Sequence, residues 1–260
     1  MLVDGSTAFL LSAAFAAGCI DSIVGGGGLI QLPALLAGLP NALPSFLLGT
    51  NKFASLMGTG SAALRYARTV TLSWTILAPA AGIAFLASLC GSIAVAHVSP
   101  ALFRPMVPIA LLLVLIYTLT RKDLGQAHTP RRLTVAVAGI GLILISIGGF
   151  YDGVFGPGAG SFLMLLFIRF YGFDFLNAAA SARLVNCATN AASLLWFGSH
   201  GQVFWLLGAL MAAANVAGAQ VGTRLAIRQG SAFVRVVFIA VVSVLIIKTG
   251  RDALLLLQRG

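Results

Sequence analysis

The sequence predicts an all-α integral membrane protein: about eight transmembrane helices of ~20 residues, with two short re-entrant or half-helices between them. Three observations predict it. First, 59% of the 260 residues are hydrophobic, 8% are charged and the mean hydropathy is +1.02. A soluble domain carries roughly 25% charged residues and leaves about a quarter of its unfolded surface facing water. So few charges cannot cover that face, so the surroundings of most of the chain are lipid. Second, the apolar runs are separated by short polar or Gly/Pro punctuation. Third, the chain carries an internal repeat.

The expected spans, in order, are 7–24, 46–67, 71–96, 101–120, 133–155, 175–198, 203–225 and 234–256. The opening stretch MLVDGSTAFLL lacks the basic n-region of a cleaved signal peptide, so the first span reads as a retained helix. Two shorter apolar pieces, 28–39 and 160–171, are too short to cross alone and suit half-membrane helices. Cys19, Cys90 and Cys187 lie inside apolar stretches and read as small packing residues rather than a disulfide framework.

Displacing the chain by 131 residues superposes Gly18 on Gly149, Asp21 on Asp152, Gly25 on Gly156 and Gly27 on Gly158. Further along, Lys52 falls on Arg183, Ser55 on Asn186, Thr59 on Asn190, Gly91 on Gly222 and Arg104 on Arg235. Glycines coincide by chance. Two of the six Asp and two basic pairs do so far less readily, and one ungapped offset serves them all. The expected domains are a first repeat 1–124, a basic linker 125–132 and a second repeat 133–260.

Charge bears on topology. There are 16 Lys+Arg against 6 Asp and no Glu, a net charge of +10. In a membrane chain this points to loops held at anionic headgroups on the cytoplasmic side, with no nucleic-acid partner. If each half crosses an odd number of times, the loops holding Arg65 and Arg68, Arg121–Arg132, and Arg224, Arg228 and Arg235 share one side. That gives inverted repeats with both termini outside, against which Lys248, Arg251 and Arg259 stand as a mild objection. Inverted repeats characterise secondary transporters, whose sites lie at the midplane between halves. The expected location is the cell inner (plasma) membrane.

Two constellations carry the chemistry. The first is a pair of glycine-rich breaks, Asp21-Ser-Ile-Val-Gly-Gly-Gly-Gly28 and Asp152-Gly-Val-Phe-Gly-Pro-Gly-Ala-Gly160. Each glycine costs a helix roughly 1 kcal/mol against Ala, and Pro157 removes a backbone donor. Irregular backbone at membrane depth must be buried in protein or line a cavity. Each break precedes a short helix, so the N–H groups of Gly26, Gly27 and Gly28, and of Gly158, Ala159 and Gly160, form candidate anion sites aided by the helix dipole. Close helix packing through small residues is the competing explanation.

The second constellation is Lys52, Ser55 and Thr59, extended by Asn51, and its counterpart Arg183, Asn186 and Asn190. Spacing of i, i+3, i+7 places each trio on one helical face. A cation at a helix centre costs about 2.5–3.5 kcal/mol on insertion scales, so it turns to the protein interior or water. Either these cations attract an anion or they neutralise Asp21 and Asp152 as structural pairs; the two roles are compatible. Arg65, Arg68, Arg224, Arg228 and Arg235 read as interfacial anchors, as do Arg169 and Asp174, and Arg104 can snorkel. His97, His128 and His200 show no metal-ligand spacing, and GGGGLIQ lacks the Lys-Ser/Thr of a P-loop. No metal or cofactor is implied beyond a coupling proton or sodium ion.

At these residues the chain resembles a known family. GCIDSIVGGGGLIQLPALLAGL with GTNKFASLMGTGSAALRY, and GFYDGVFGPGAGSFL with SARLVNCATN, are similar to the two halves of TauE/SafE-type sulfite exporters. The resemblance runs over about 18–250 and implies a multi-pass permease for sulfite, sulfonates, sulfoacetate or similar small anions. Members of that family usually carry Lys where this chain has Arg183; both are cations, but Arg offers a planar fork better matched to an oxyanion.

The expected function is a secondary transporter of a small anion, with one half rocking against the other. An anion channel using the same site is the first alternative. An intramembrane aspartyl protease is the remote one: neither Asp lies in Gly-x-Gly-Asp, and nearby cations oppose the shared proton such a dyad needs. Oligomeric state is left open.

Overall fold

The computed structural model describes residues 5–95 and 134–257. The expected span 101–120, the linker 125–132, Arg104, His97 and His128 lie outside the described residues. Within them the chain is all-helical: α1 (Gly5–Val24), α2 (Gly28–Gly38), α3 (Pro44–Ala67), α4 (Trp74–Val95), α5 (Val135–Val154), α6 (Ala159–Tyr171), α7 (Phe175–Ser199) and α8 (Trp205–Leu257). Two expected helices, 203–225 and 234–256, merge into α8, interrupted at Gly230 by a backbone (φ 76°, ψ −169°) that side-chain-bearing residues avoid.

Local chemistry sets the ends. Pro44 opens α3, where its missing N–H is no loss. The Thr134 hydroxyl caps α5 by accepting from the Val137 N–H. The Asp174 carboxylate caps α7, accepting from the Asn177 N–H at 2.7 Å, which gives it a structural duty beside the interfacial one expected. Gly172 stops α6 in the left-handed conformation, with N–H bonds from Gly172 to Ile168 and from Phe173 to Phe167.

Four of these helices, α1, α4, α5 and α8, are long and apolar enough to cross a membrane. Large apolar side chains stand exposed along their outer faces, among them Leu86, Ile143 and Leu206. Helices α3 and α7 have 24 and 25 residues, also long enough, but they carry the polar trios and bury them. The short helix α6 is buried along most of its length, with Met164, Leu165, Phe167 and Tyr171 in the main apolar cluster. Cys90 faces outward rather than packing as expected, while Cys19 and Cys187 are partly buried.

Packing does not follow the order of the chain. The most extensive contacts join α1 and α3 to α8, and α4 to α5 and α7. One body therefore holds α1, α2, α3 and the start of α8; the other holds α5, α6, α7 and α4. The two meet chiefly where α3 crosses α7. Close approach in each body runs through glycine: a β-carbon on Gly222 would stand 2.2 Å from the Cys19 carbonyl oxygen, and one on Gly91 2.2 Å from that of Phe150. Gly18 and Gly149 likewise lie against Asn215 and Ala84. At these four positions the small-residue packing explanation holds.

Candidate functional site

The glycine-rich segments break their helices where expected, and the two breaks touch. Helix α1 stops at Val24 and α2 starts at Gly28; α5 stops at Val154 and α6 starts at Ala159. Gly25 (φ +86°) and Gly156 (φ +90°) both take the left-handed conformation that ends a helix. A β-carbon on Gly25 would lie 2.3 Å from the Gly160 carbonyl carbon, and one on Gly28 3.2 Å from Pro157 Cα.

Ending a helix inside a membrane protein leaves carbonyls without partners. Here side chains take that task, most of them from the other half of the chain. Arg183 Nη1 donates to the Asp21 carbonyl at 2.6 Å, and Ser161 Oγ to that of Val24 at 2.8 Å. In the mirror arrangement Lys52 Nζ donates to the Asp152 carbonyl at 2.6 Å, and Ser92 Oγ to that of Gly153 at 3.2 Å. Tyr66 and Tyr151 hydroxyls take the Ser22 and Pro157 carbonyls. Each cation thus sits at the negative end of a helix from the other half of the chain, where the dipole favours it.

The ion pairs are crossed in the same way. Lys52 Nζ lies 2.9 Å from Asp152 Oδ1, and Arg183 Nη1 lies 2.9 Å from Asp21 Oδ2. All four groups are buried or nearly so, Asp21 being the most exposed at 16%. A buried charge is tolerable only when paired and hydrogen-bonded. Asn186 Nδ2 donates to Asp152 Oδ2 at 3.3 Å, and the Gly27 N–H to Asp21 Oδ1 at 3.1 Å.

Between the breaks lies a small polar cavity of about 20 Å³. Asp21, Gly25, Gly28, Asn51, Lys52 and Ser55 line it from one side; Asp152, Gly156, Gly160, Asn186 and Asn190 line it from the other. Nine of these are sequence-predicted site residues. Gly25 and Gly156 are additions, and their signal was their coincidence at the 131-residue offset.

Six predicted residues do not line the cavity. Gly26, Gly27, Gly158 and Ala159 are buried in the breaks; the Gly27 N–H is held by Asp21, and that of Ala159 by the Gly156 carbonyl. The Thr59 hydroxyl turns back onto the Ser55 carbonyl at 2.7 Å. Arg183 is fully buried behind Gly25 and Gly160.

A buried polar relay escaped sequence reasoning. Asn215 Nδ2 donates to Gln31 Oε1 at 2.7 Å, and Gln31 Nε2 reaches the Asn51 carbonyl at 3.5 Å. It ties α8 through α2 to the cavity wall. Ser88, Ser92 and Ser193 form a second cluster joining α4 to α7. Lone amides and hydroxyls in apolar runs were the available signal, and of these Ser92 alone falls on another hydroxyl, Thr223, at the 131-residue offset.

A two-sided polar cavity inside a bundle of apolar helices suits a membrane transporter, and the comparisons show that class. The chain belongs to the sulfite exporter TauE/SafE family, whose model matches residues 10–249. It is similar to the probable membrane transporter protein ORF9 of Sinorhizobium sp, with 38% identity over 246 residues, covering 94% of this chain and 92% of that one. A probable membrane transporter protein of Haemophilus influenzae is 36% identical over 88% of both chains. The probable membrane transporter protein YfcA of Escherichia coli K12 is 35% identical over 94% of this chain and 89% of its own. No solved structure matches. The chain is a multi-pass membrane protein, and the aspartyl-protease alternative is set aside.

Proposed function

We propose that this protein is a secondary transporter exporting a small anion, sulfite or an organosulfonate such as sulfoacetate, across the inner membrane by alternating access. The carrying observation is the cavity between the two touching breaks, walled by both repeats and bordered by two crossed ion pairs. The crossing supports a duplicated, inverted origin, because each repeat supplies the cation that the other repeat's broken helix needs. Lys52, Ser55, Asn51, Asn186 and Asn190 supply donors at the wall. Both short helices begin beside the cavity, so their positive ends face an incoming anion.

The packing favours a particular motion. Rocking residues 1–124 against 133–260 would tear the extensive contacts of α1 with α8 and α4 with α5. Rocking the two interleaved bodies across the α3–α7 crossing keeps them intact, and it makes the ion pairs latches between moving parts. Asp21 and Asp152 are then the groups on which a coupling proton or sodium ion acts when a latch opens. Latches and a small cavity support stepwise transport over an open channel.

Proteoliposomes test this. Wild-type protein moves sulfite or methanesulfonate with saturable kinetics, and Lys52→Ala and Arg183→Ala each lower the rate by an order of magnitude or more, about 1.4 kcal/mol per tenfold. Full-rate transport by both variants excludes the site. Large single-channel currents in place of saturable flux point to the channel.

A further inference from the structure

Lys52 and Arg183 are related by the 131-residue offset, yet their donors are not equally occupied. The Lys52 ammonium holds both the carboxylate and the carbonyl of Asp152. Arg183 holds Asp21 through Nη1 alone. Its Nε and Nη2 are fully buried and have no hydrogen-bonding partner among the described residues. Buried donors almost always have partners, and a bare one in a native protein calls for a reason. A bare pair on a guanidinium is costlier still, because the group stays charged.

These two nitrogens are not an arbitrary pair. They form the side edge of the guanidinium, two parallel N–H groups matched to two oxygens of one oxyanion. The position of the edge is equally specific. A β-carbon on Gly25 would lie 2.5 Å from Nη2, and one on Gly160 2.6 Å from it. Both glycines line the cavity. Nη2 therefore lies directly beneath a wall made of two residues without side chains, where one break presses on the other.

We propose that the Nε–Nη2 edge of Arg183 is the recognition element of the site. It receives a group with two oxygens in one plane and a single negative charge, a sulfonate or carboxylate head, once Gly25 and Gly160 part. This rests on the anion-transport reading above. Nη1 keeps its hold on Asp21 while the anion binds, so the ion pair orients the guanidinium at that step, and its opening as a latch belongs to a later one. The single charge on the head follows from the local balance. Lys52 and Arg183 cancel Asp21 and Asp152, and the positive ends of the two short helices are offset by the negative ends of α1 and α5 at the same breaks. With no surplus positive charge, a doubly charged head such as sulfate has the greater desolvation cost to recover. Lysine at position 183 keeps the charge and a bond to Asp21 but presents no parallel pair.

Binding to purified protein by calorimetry tests this with methanesulfonate, acetate, sulfate and chloride. The wild type is expected to bind methanesulfonate at least about tenfold more tightly than sulfate or chloride, a 1.4 kcal/mol difference. Arg183→Lys is expected to lose about tenfold or more in methanesulfonate affinity and most of the preference over chloride. Wild-type methanesulfonate affinity in Arg183→Lys overturns the proposal while leaving the anion site standing, and sulfate binding tighter than methanesulfonate overturns the single-charge requirement. Absence of binding by the wild type to every anion of the panel overturns the transport reading along with it. Should Arg183→Lys fail to fold, a structure of the wild type with methanesulfonate decides. Oxygens within about 3.2 Å of both Nε and Nη2 support the proposal, and a bound sulfonate that leaves both nitrogens bare overturns it.

Discussion

At the scale of single residues, the site is governed by the difference between losing one charge and losing two. Lys52 and Asp152 are 2% exposed and 2.9 Å apart. Lys52→Met leaves Asp152 uncompensated and is expected to cost about 3–5 kcal/mol of stability. Lys52→Met with Asp152→Leu removes both charges and should recover most of that loss, because a buried pair replaced by apolar residues of similar volume is often neutral. Thermal unfolding in detergent measures the recovery, and proteoliposome flux should show no matching recovery of transport. A double variant that regains both would reduce the pair to a structural element. A double variant that regains neither would mean that the hydrogen bond to the Asp152 carbonyl outweighs the charge.

At the scale of elements, the breaks owe their form to backbone that only glycine supplies cheaply. Gly25 needs both a positive φ and the absence of a β-carbon against Gly160. Gly25→Ala is therefore expected to abolish folding or transport. Gly28 has an ordinary helical role, and a β-carbon there meets the backbone of the second break less closely, with Pro157 Cα at 3.2 Å and Pro157 N at 3.4 Å. Gly28→Ala should keep its thermal stability and lose transport, because the methyl narrows the cavity that Gly28 lines. Gly82, with nothing within 4 Å of a β-carbon, is the control. Its alanine variant should match or exceed wild-type stability by up to about 1 kcal/mol and transport normally. Normal transport by Gly28→Ala would move the solute's path away from the breaks.

At the scale of the whole molecule, the interleaved packing makes a test that separates two kinds of motion. Ser88 on α4 and Ser193 on α7 belong to different halves of the chain but to the same packed body, with their hydroxyls 3.0 Å apart. In a background lacking Cys19 and Cys90, the Ser88→Cys/Ser193→Cys disulfide should leave transport intact. Position 60 on α3 faces Cys187 on α7 across the two bodies, a β-carbon there lying 3.6 Å from Sγ. The disulfide between Gly60→Cys and Cys187 should arrest transport until it is reduced. The opposite pattern would restore motion of sequence halves. Cysteine labelling at Arg68, Gln126 and Arg228 from one membrane face would likewise test the inverted topology.

Much of this was legible from residue types alone. An apolar chain with few charges has to be helical in lipid, and glycine runs at that depth have to be breaks, because backbone groups there need partners and four glycines resist a helix. The duplicated Asp and cations marked the site for the same reason: charge is not buried without function or a partner. Their partners were another matter. That Lys52 would pair with Asp152 and Arg183 with Asp21, that α8 would pack with α1 and α3 and α4 with α5 and α7, and that Arg183 would keep one edge bare all depend on contacts between residues far apart in the chain. Helical periodicity assigns a face to each residue but not a neighbour to each face. Which faces meet is settled by the close fit of glycine-lined helices and by where each broken helix finds its cation, and that is a property of the assembled bundle.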